Sequence, residues 1–251
     1  MARWIEGHEG DRLTTVRSAA LLEVHLAHGS VNALDARTYR EIHDVFMEVD
    51  STPSVGVVLL RGRNDCFSAG QDIEDAPQIQ DDPAGYLLAA AESLAAVTRS
   101  SALVVAGVRR FAVGAGLILA TSADLLVVDS SARLFLPELQ HGVAAGVAHV
   151  SWWLGEPAAQ RALATGRRID PLNFAQAGAE VVQSHLVEAS TRELVDALVR
   201  QSASYARMTK AASMAARHNL AERYLDEIRT TIAAGLANFT PAPQSEPPHR
   251  V

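Results

Sequence analysis

Twice in this chain an unbroken apolar run empties into a glycine turn and then into a helix-forming stretch. The segment 55–60 of SVGVVLLRG leads through NDCFSAGQD to a helix centred on 84–98, and 103–108 leads into FAVGAG, whose following residues can make a short helix. Runs of this length without polar alternation read as buried strands, and strands alternating with helices read as an α/β core. The expected fold class is therefore α/β, built from repeated strand-and-helix units, with periodicity leaving the winding open to a doubly wound sheet.

The flanking segments fit that plan. DRLTTVRSAALLEVHL, residues 11–26, reads as one or two strands with a turn near Ser18. Asn32 and Asp35 offer caps to a helix running through Asp50, with Leu34, Tyr39, Ile42, Val45, Phe46 and Val49 as its apolar face. Residues 123–128 can return as another strand. Beyond Pro137 the pattern turns helical, around 156–164, 171–178, 190–207 and 209–235. The resulting organisation is a core over 1–190, a helical region over 191–240, and a flexible tail over 241–251, where PAPQSEPPHRV holds four prolines.

At 251 residues the chain is long enough for one substantial core with a smaller appendage. Lys and Arg number 22 against 29 Asp and Glu, and a net charge of −7 without a basic stripe argues against nucleic acid as partner. An anionic small molecule stays compatible with that balance, because local basic groups or helix ends suffice to hold it. Apolar runs stop short of membrane-spanning length, and MARWIEGHEGD lacks the apolar centre of a signal peptide, so a cytoplasmic location is expected. The single Cys66 reads as a packing residue. His8, His25, His28, His43 and His185 form no metal-ligating pattern, and no metal is expected. The acidic loop with Asp72, Glu74, Asp75, Asp81 and Asp82 reads as solvated surface or a pocket rim.

The glycine turns carry the chemistry. Gly70 can permit a backbone path that exposes the amide of Gln71, and Gly114 with Gly116 can do the same for Ala115. Two amides converging on a carbonyl oxygen stabilise developing negative charge by about 3 kcal/mol per donor. Because the backbone donates, losing the Gln71 side chain should matter little, whereas a branched residue at Gly116 should matter more. Neither turn has the spacing of a dinucleotide or phosphate loop. Ser68 lacks the setting of a nucleophile, and His141 and His149 read as surface or turn polarity.

Four blocks in order, VNAL at 31–34, CFSAGQDI at 66–73, FAVGAG at 111–116 and ADLLVVDSSARLFLPELQHG at 123–142, resemble the enoyl-CoA hydratase/isomerase family, also called the crotonase family. GEPAAQRALATGRRIDPLNFAQAG at 155–178 extends the resemblance over most of the chain. The resemblance implies a crotonase-like spiral of repeated beta-beta-alpha units, followed by helices used in assembly of a homotrimer or homohexamer. It implies an acyl-CoA or enoyl-CoA substrate, with coenzyme A as part of the thioester and no tightly bound cofactor. By motif match, the Gln71 and Ala115 amides form the oxyanion hole, and Ala69, Asp72 and Ile73 lie with Gln71 along the CoA side. Lys210 matches a position that can approach a CoA phosphate, or else stands as a surface lysine. Asp124 is expected to fix backbone at the start of a strand.

The departures from the family are specific. Typical hydratases carry two carboxylates, one in the helix after the glycine turn and one in the PE motif. Here Ile118 stands at the first position and only Glu138, in LPEL, remains. Isoleucine neither accepts nor donates a proton. Arg110 replaces the usual glycine, and the connection from Glu138 to Gly155 is shorter than usual. Three functions stay open: double-bond migration with Glu138 as proton carrier, hydration using Glu138 alone, and acyl-CoA binding without turnover.

Overall fold

In the computed structural model, which describes residues 4–75, 79, 81–217 and 219–235, the apolar runs become the middle of a seven-stranded sheet. Antiparallel β1 (His8–Glu9), β2 (Leu13–Ser18) and β3 (Leu21–Leu26) form one edge. From β3 the pairing is parallel, through β4 (Val57–Gly62), β5 (Leu103–Val108), β7 (Leu125–Asp129) and β9 (Glu180–Val182). β6 (Phe111–Val113) and β8 (Arg133–Phe135) make a separate parallel pair beside it. Every residue of β5 is buried, which is the physical reason its sequence LVVAGV shows no alternation.

Helices cover both faces. α1 (Ala36–Asp50) begins where the Asp35 carboxylate accepts from the Thr38 amide at 2.6 Å, and it buries Tyr39, Ile42, Val45, Phe46 and Val49 as expected. Leu34 is not on that face; it bridges to Gln71 ahead of the helix. α2 (Pro83–Arg99) packs on α1, and α3 (Ala115–Thr121) follows the second glycine turn. α4 (Val147–Leu154), α5 (Glu156–Thr165) and α6 (Leu172–Ala175) complete the middle of the chain. α7 (Val187–Val199) and α8 (Ala203–Ala216) cover the opposite face, where Val195 and Ala206 pack on Leu21, Val57, Leu59, Leu103 and Val105. α9 (Leu220–Ala233) returns to pack on α2 and α4.

The expected long helices at 190–207 and 209–235 are each broken. Ser202 caps α8 through the Tyr205 amide at 3.3 Å, and Asn219 takes a left-handed φ of +64° before α9. The helical region does not stand apart from the core. Glu227 of α9 accepts from the Gly146 and Ala148 amides, both at 2.7 Å, and so caps α4. The tail at 241–251 lies outside the described residues, and among those described no helix is long and apolar enough to cross a membrane.

Asp124 fixes backbone, as the resemblance implied: its carboxylate accepts from the Val104 amide at 2.9 Å. The acidic loop follows expectation at Glu74, Asp81 and Asp82, which are exposed, and departs from it in how deeply its other carboxylates sit. Asp72 and Asp75 turn inward, and Asp75 binds the Ala36 amide at 2.6 Å and the Tyr86 hydroxyl at 3.0 Å, tying the loop to the first turn of α1.

Candidate active site

Strand-like pairing brings the two glycine turns side by side. The Val113 amide donates to the Ser68 carbonyl at 3.1 Å, and Ser68 bridges to Ala112. Around Gln71 the backbone is paired on both sides: Leu34 N to Gly70 O at 2.8 Å, and Asp72 N to Leu34 O at 3.0 Å. Gly70, at φ +86°, turns the chain between them, and a Cβ placed there would sit 3.4 Å from the Ala115 amide nitrogen and closer still to the Val113 carbonyl. Gly114, at φ +54° and ψ −125°, turns the second segment so that Ala115 opens α3. Among the described residues, neither the Gln71 nor the Ala115 amide has an acceptor. Two unspent donors thus lie on adjacent turns.

These turns form one end of a cavity of about 230 Å³, walled by Leu87, Leu94, Ile118, Val143 and Ile228 among others. Glu138 enters it from the turn after β8. A Cβ on Gly114 would clash with the Glu138 carboxylate and lie 3.3 Å from its carboxyl carbon, so the acid sits directly against the turn that presents the Ala115 amide. Its Oε2 is buried without a hydrogen-bond partner. Burial pushes the Glu138 carboxyl up to about 8, opposed only by its own backbone N–H. Ile118 lines the same cavity from α3, 2% exposed, where a second carboxylate would otherwise face the first.

That shift fixes a stability dependence. Folding favours the protonated form of Glu138, so its contribution is fully present below the ordinary carboxylate value near 4.5 and is lost as pH rises toward about 8. Glu138→Gln removes the ionisation. Its Tm is expected to match wild type near pH 4.5 and to exceed it by a margin that grows up to about pH 8 and is level above; thermal melts across that range check this, and a pH-independent gap would refute it.

Other expected site residues fall out as follows. Ala69 and Asp72 line the cavity, and Asp72 holds His28 Nε2 at 2.8 Å and the Glu74 amide at 2.9 Å. Ile73 begins a short turn, Ile73–Asp75, and its side chain lies outside the described residues. Lys210 is corrected on both counts. It is neither on the surface nor free for a phosphate, because its ammonium is buried between the Asp124 carboxylate, 2.8 Å from each oxygen, and the Thr98 carbonyl at 3.1 Å. Arg110 takes a φ of +58°, a conformation that favours glycine and explains why glycine is the usual occupant. Gly116 has ordinary helical backbone; its constraint is contact, since a Cβ there would meet the Ser68 carbonyl at 2.7 Å.

Ser68 is structural, donating to the Asn32 carbonyl at 2.7 Å and accepting from the Gly70 amide at 3.0 Å. Cys66 is buried, and burial pushes its thiol up. Of the two histidines, His141 sits in a turn as expected and only His149 differs from expectation. His149 is fully buried, bonded to Thr98 at 2.9 Å and held neutral by burial and the nearby Arg217, its pKa pushed down to about 3; His141 lines the cavity. Among the described residues no cluster of His, Cys, Asp and Glu could hold a metal ion.

Several contributors had no signal in the sequence. The Gln71 side chain donates to the Leu34 carbonyl at 3.1 Å, accepts from the Tyr39 hydroxyl at 3.1 Å, and pairs with the Tyr86 hydroxyl. It ties down the residue whose backbone amide is unspent, a side-chain contact the backbone-only expectation did not include. Tyr39 and Tyr224 also line the cavity. Both sit at helical spacings that read as ordinary core.

The comparisons with known proteins agree with this geometry. The family model for enoyl-CoA hydratase/isomerase matches residues 16–234. A carnitinyl-CoA dehydratase of Citrobacter koseri is 30% identical over 203 residues, covering 76% of each chain, and a Mycobacterium tuberculosis protein named a probable enoyl-CoA hydratase is 29% identical over 208 residues, covering 80% of each. A Thermobifida fusca protein solved in complex with CoA superposes with a TM-score of 0.71 at 26% identity, over 90% of this chain and 93% of that one. Paired amide turns, a PE-motif glutamate against them and a match over nearly the whole length leave one assignment: the chain belongs to the enoyl-CoA hydratase/isomerase family and has its crotonase fold.

Proposed function

We propose that this protein shifts a double bond in an enoyl-CoA thioester, with Glu138 as the only proton carrier. The observation that carries the reading is a buried carboxylate with an unpartnered oxygen, packed against the turn that presents one of two unspent amides, with Ile118 where a partner acid would stand. The thioester oxygen of a 3-enoyl-CoA accepts from the Gln71 and Ala115 N–H groups. Glu138 takes a C2 proton, and the C–H electron pair moves into a dienolate whose charge rests on that oxygen. The carboxyl group returns the proton to C4, leaving a 2-enoyl thioester and a restored carboxylate. No second acid is consumed, so one carboxylate closes the cycle.

A base whose pKa is raised is stronger once ionised, and the cavity supplies that rise. Incubation of a thioester panel in deuterated water, followed by mass spectrometry and product identification, tests the proposal. C2 exchange and migration of a 3-enoyl double bond are expected, with kcat/KM rising through acid pH and levelling above about 8. Rapid hydration of 2-enoyl thioesters without migration would instead support the second reading, hydration or dehydration, which the names of the relatives favour. Tight binding without exchange or turnover would support a thioester-binding protein.

Assembly belongs to the same proposal. Leu172, Leu186, Tyr205 and Met208 are exposed on the later helices and turns, a set that supports packing between copies. Light scattering is expected to give a trimer or hexamer, and a persistent monomer would reject it.

A further inference from the structure

Among the described residues, five titratable side chains line the cavity: Tyr39, Asp72, Glu138, His141 and Tyr224. Three of them are poor proton carriers at neutral pH. Burial pushes the Tyr39 and Tyr224 phenols upward, and Asp72 is engaged by His28 Nε2 at 2.8 Å and the Glu74 amide at 2.9 Å. That leaves His141 beside Glu138.

The two belong to one 3₁₀ turn, Glu138–His141, and in such a turn residues three apart eclipse. The positions between them point elsewhere, since Leu139 is exposed and Gln140 lies against Gly166. Acid and imidazole therefore share the face that borders the cavity. Their access to water differs. Glu138 Oε2 is buried, whereas His141 is half-buried, and its ring nitrogens have no hydrogen bond or ion pair among the described residues and are not closed off from solvent. One turn thus runs from a carboxyl oxygen that water does not reach to an imidazole that it does.

That arrangement answers a need of the proposed reaction. Glu138 has to be ionised to take a C2 proton, but burial pushes its carboxyl up to about 8, so at neutral pH most of it starts protonated. A thioester in the cavity covers the group further. Its proton then needs another way out.

We propose that His141 relays protons between Glu138 and solvent, acting through Glu138 and not on the substrate itself. The proposal rests on the reading of Glu138 as proton carrier, and Glu138 stays the only group that exchanges protons with the thioester. One ring nitrogen, directly or across a single water, takes the carboxyl proton, while the other nitrogen gives its own proton to solvent. The products are a carboxylate, a neutral imidazole in its other tautomer and a proton in water. Run backward, the same path brings a solvent proton to Glu138. During migration this exchange competes with direct return of the C2 proton to C4, so the hydrogen that arrives at C4 comes largely from water.

The test converts a 3-enoyl thioester carrying deuterium at both C2 positions in ordinary water and measures deuterium at C4 of the product at low conversion. Direct return leaves deuterium there; the relay replaces it with hydrogen. Wild type is expected to leave little, and His141→Gln about fivefold more, with kcat at neutral pH lowered about two- to tenfold. Imidazole added to His141→Ala is expected to bring the C4 deuterium back toward the wild-type level. Lowered turnover with unchanged C4 deuterium and no response to imidazole would mark His141 as merely structural and overturn the relay. Wild type that leaves most of the deuterium at C4 overturns it too, whether or not the variants fold, with Glu138 still standing as proton carrier. A wild type that does not migrate the double bond overturns that reading, and this one with it.

Discussion

Glu138→Gln is expected to lower C2 proton exchange and double-bond migration by at least about 100-fold while leaving CoA-thioester affinity within a few-fold of wild type. Gln preserves the length and much of the polarity of the side chain but carries no transferable proton at the pH of the cell. Binding is expected to survive because in the proposed pose the Gln71 and Ala115 amides hold the thioester oxygen, and Glu138 packs against the Gly114 turn without bonding to either amide. Isotope exchange and equilibrium binding on the same preparation measure the two effects separately. If E138Q exchanged and isomerised at the wild-type rate, Glu138 would not carry the proton.

Gly70→Ala is the second large effect. The residue sits at φ +86°, and the added methyl would press on the Val113 carbonyl, a backbone atom of β6 that is itself in the ladder to β8. Neither turn can yield without separating the amides. A loss of about 2–4 kcal/mol in stability and about 100-fold in turnover is expected. Gly178→Ala is the control: it also has positive φ, +94°, but a Cβ there meets nothing within 4 Å. G178A therefore isolates backbone strain from the clash. Equal stability losses in the two variants, by denaturant titration, would show that the turn-to-turn contact contributes nothing of its own.

What could be read in the sequence follows from which forces are local. Buried parallel strands announce themselves because both faces are apolar, and Asp35 announces α1 because capping involves neighbours three residues away. The two amides and Glu138 were legible for a different reason: glycine turns and the PE motif lie in an order that a family resemblance preserves. Apart from the helix breaks at Ser202 and Asn219, which are local, the misreadings concern partners distant along the chain. Lys210 reads as a solvent-facing charge until Asp124, brought close by the fold, neutralises it. His149 reads as polar surface until Thr98 and Tyr224 enclose it. Gln71 reads as a bare backbone donor because nothing near it in sequence foretells that Leu34, Tyr39 and Tyr86 will converge on its amide group.

The return of α9 to the core has a consequence for when, during synthesis, this protein becomes competent. The amide turns and Glu138 all lie before residue 140, but Tyr224 and Ile228 of the cavity wall and Glu227, which caps α4, come from the helix that begins at Leu220. A nascent chain that has emerged only as far as α8 has both glycine turns and Glu138, but its cavity wall lacks Tyr224 and Ile228. Water there would solvate the carboxylate and weaken it as a base. On the proposed mechanism, an acid raised by burial exists only once that helix has docked, and Glu138 in a chain lacking it would sit nearer its ordinary value.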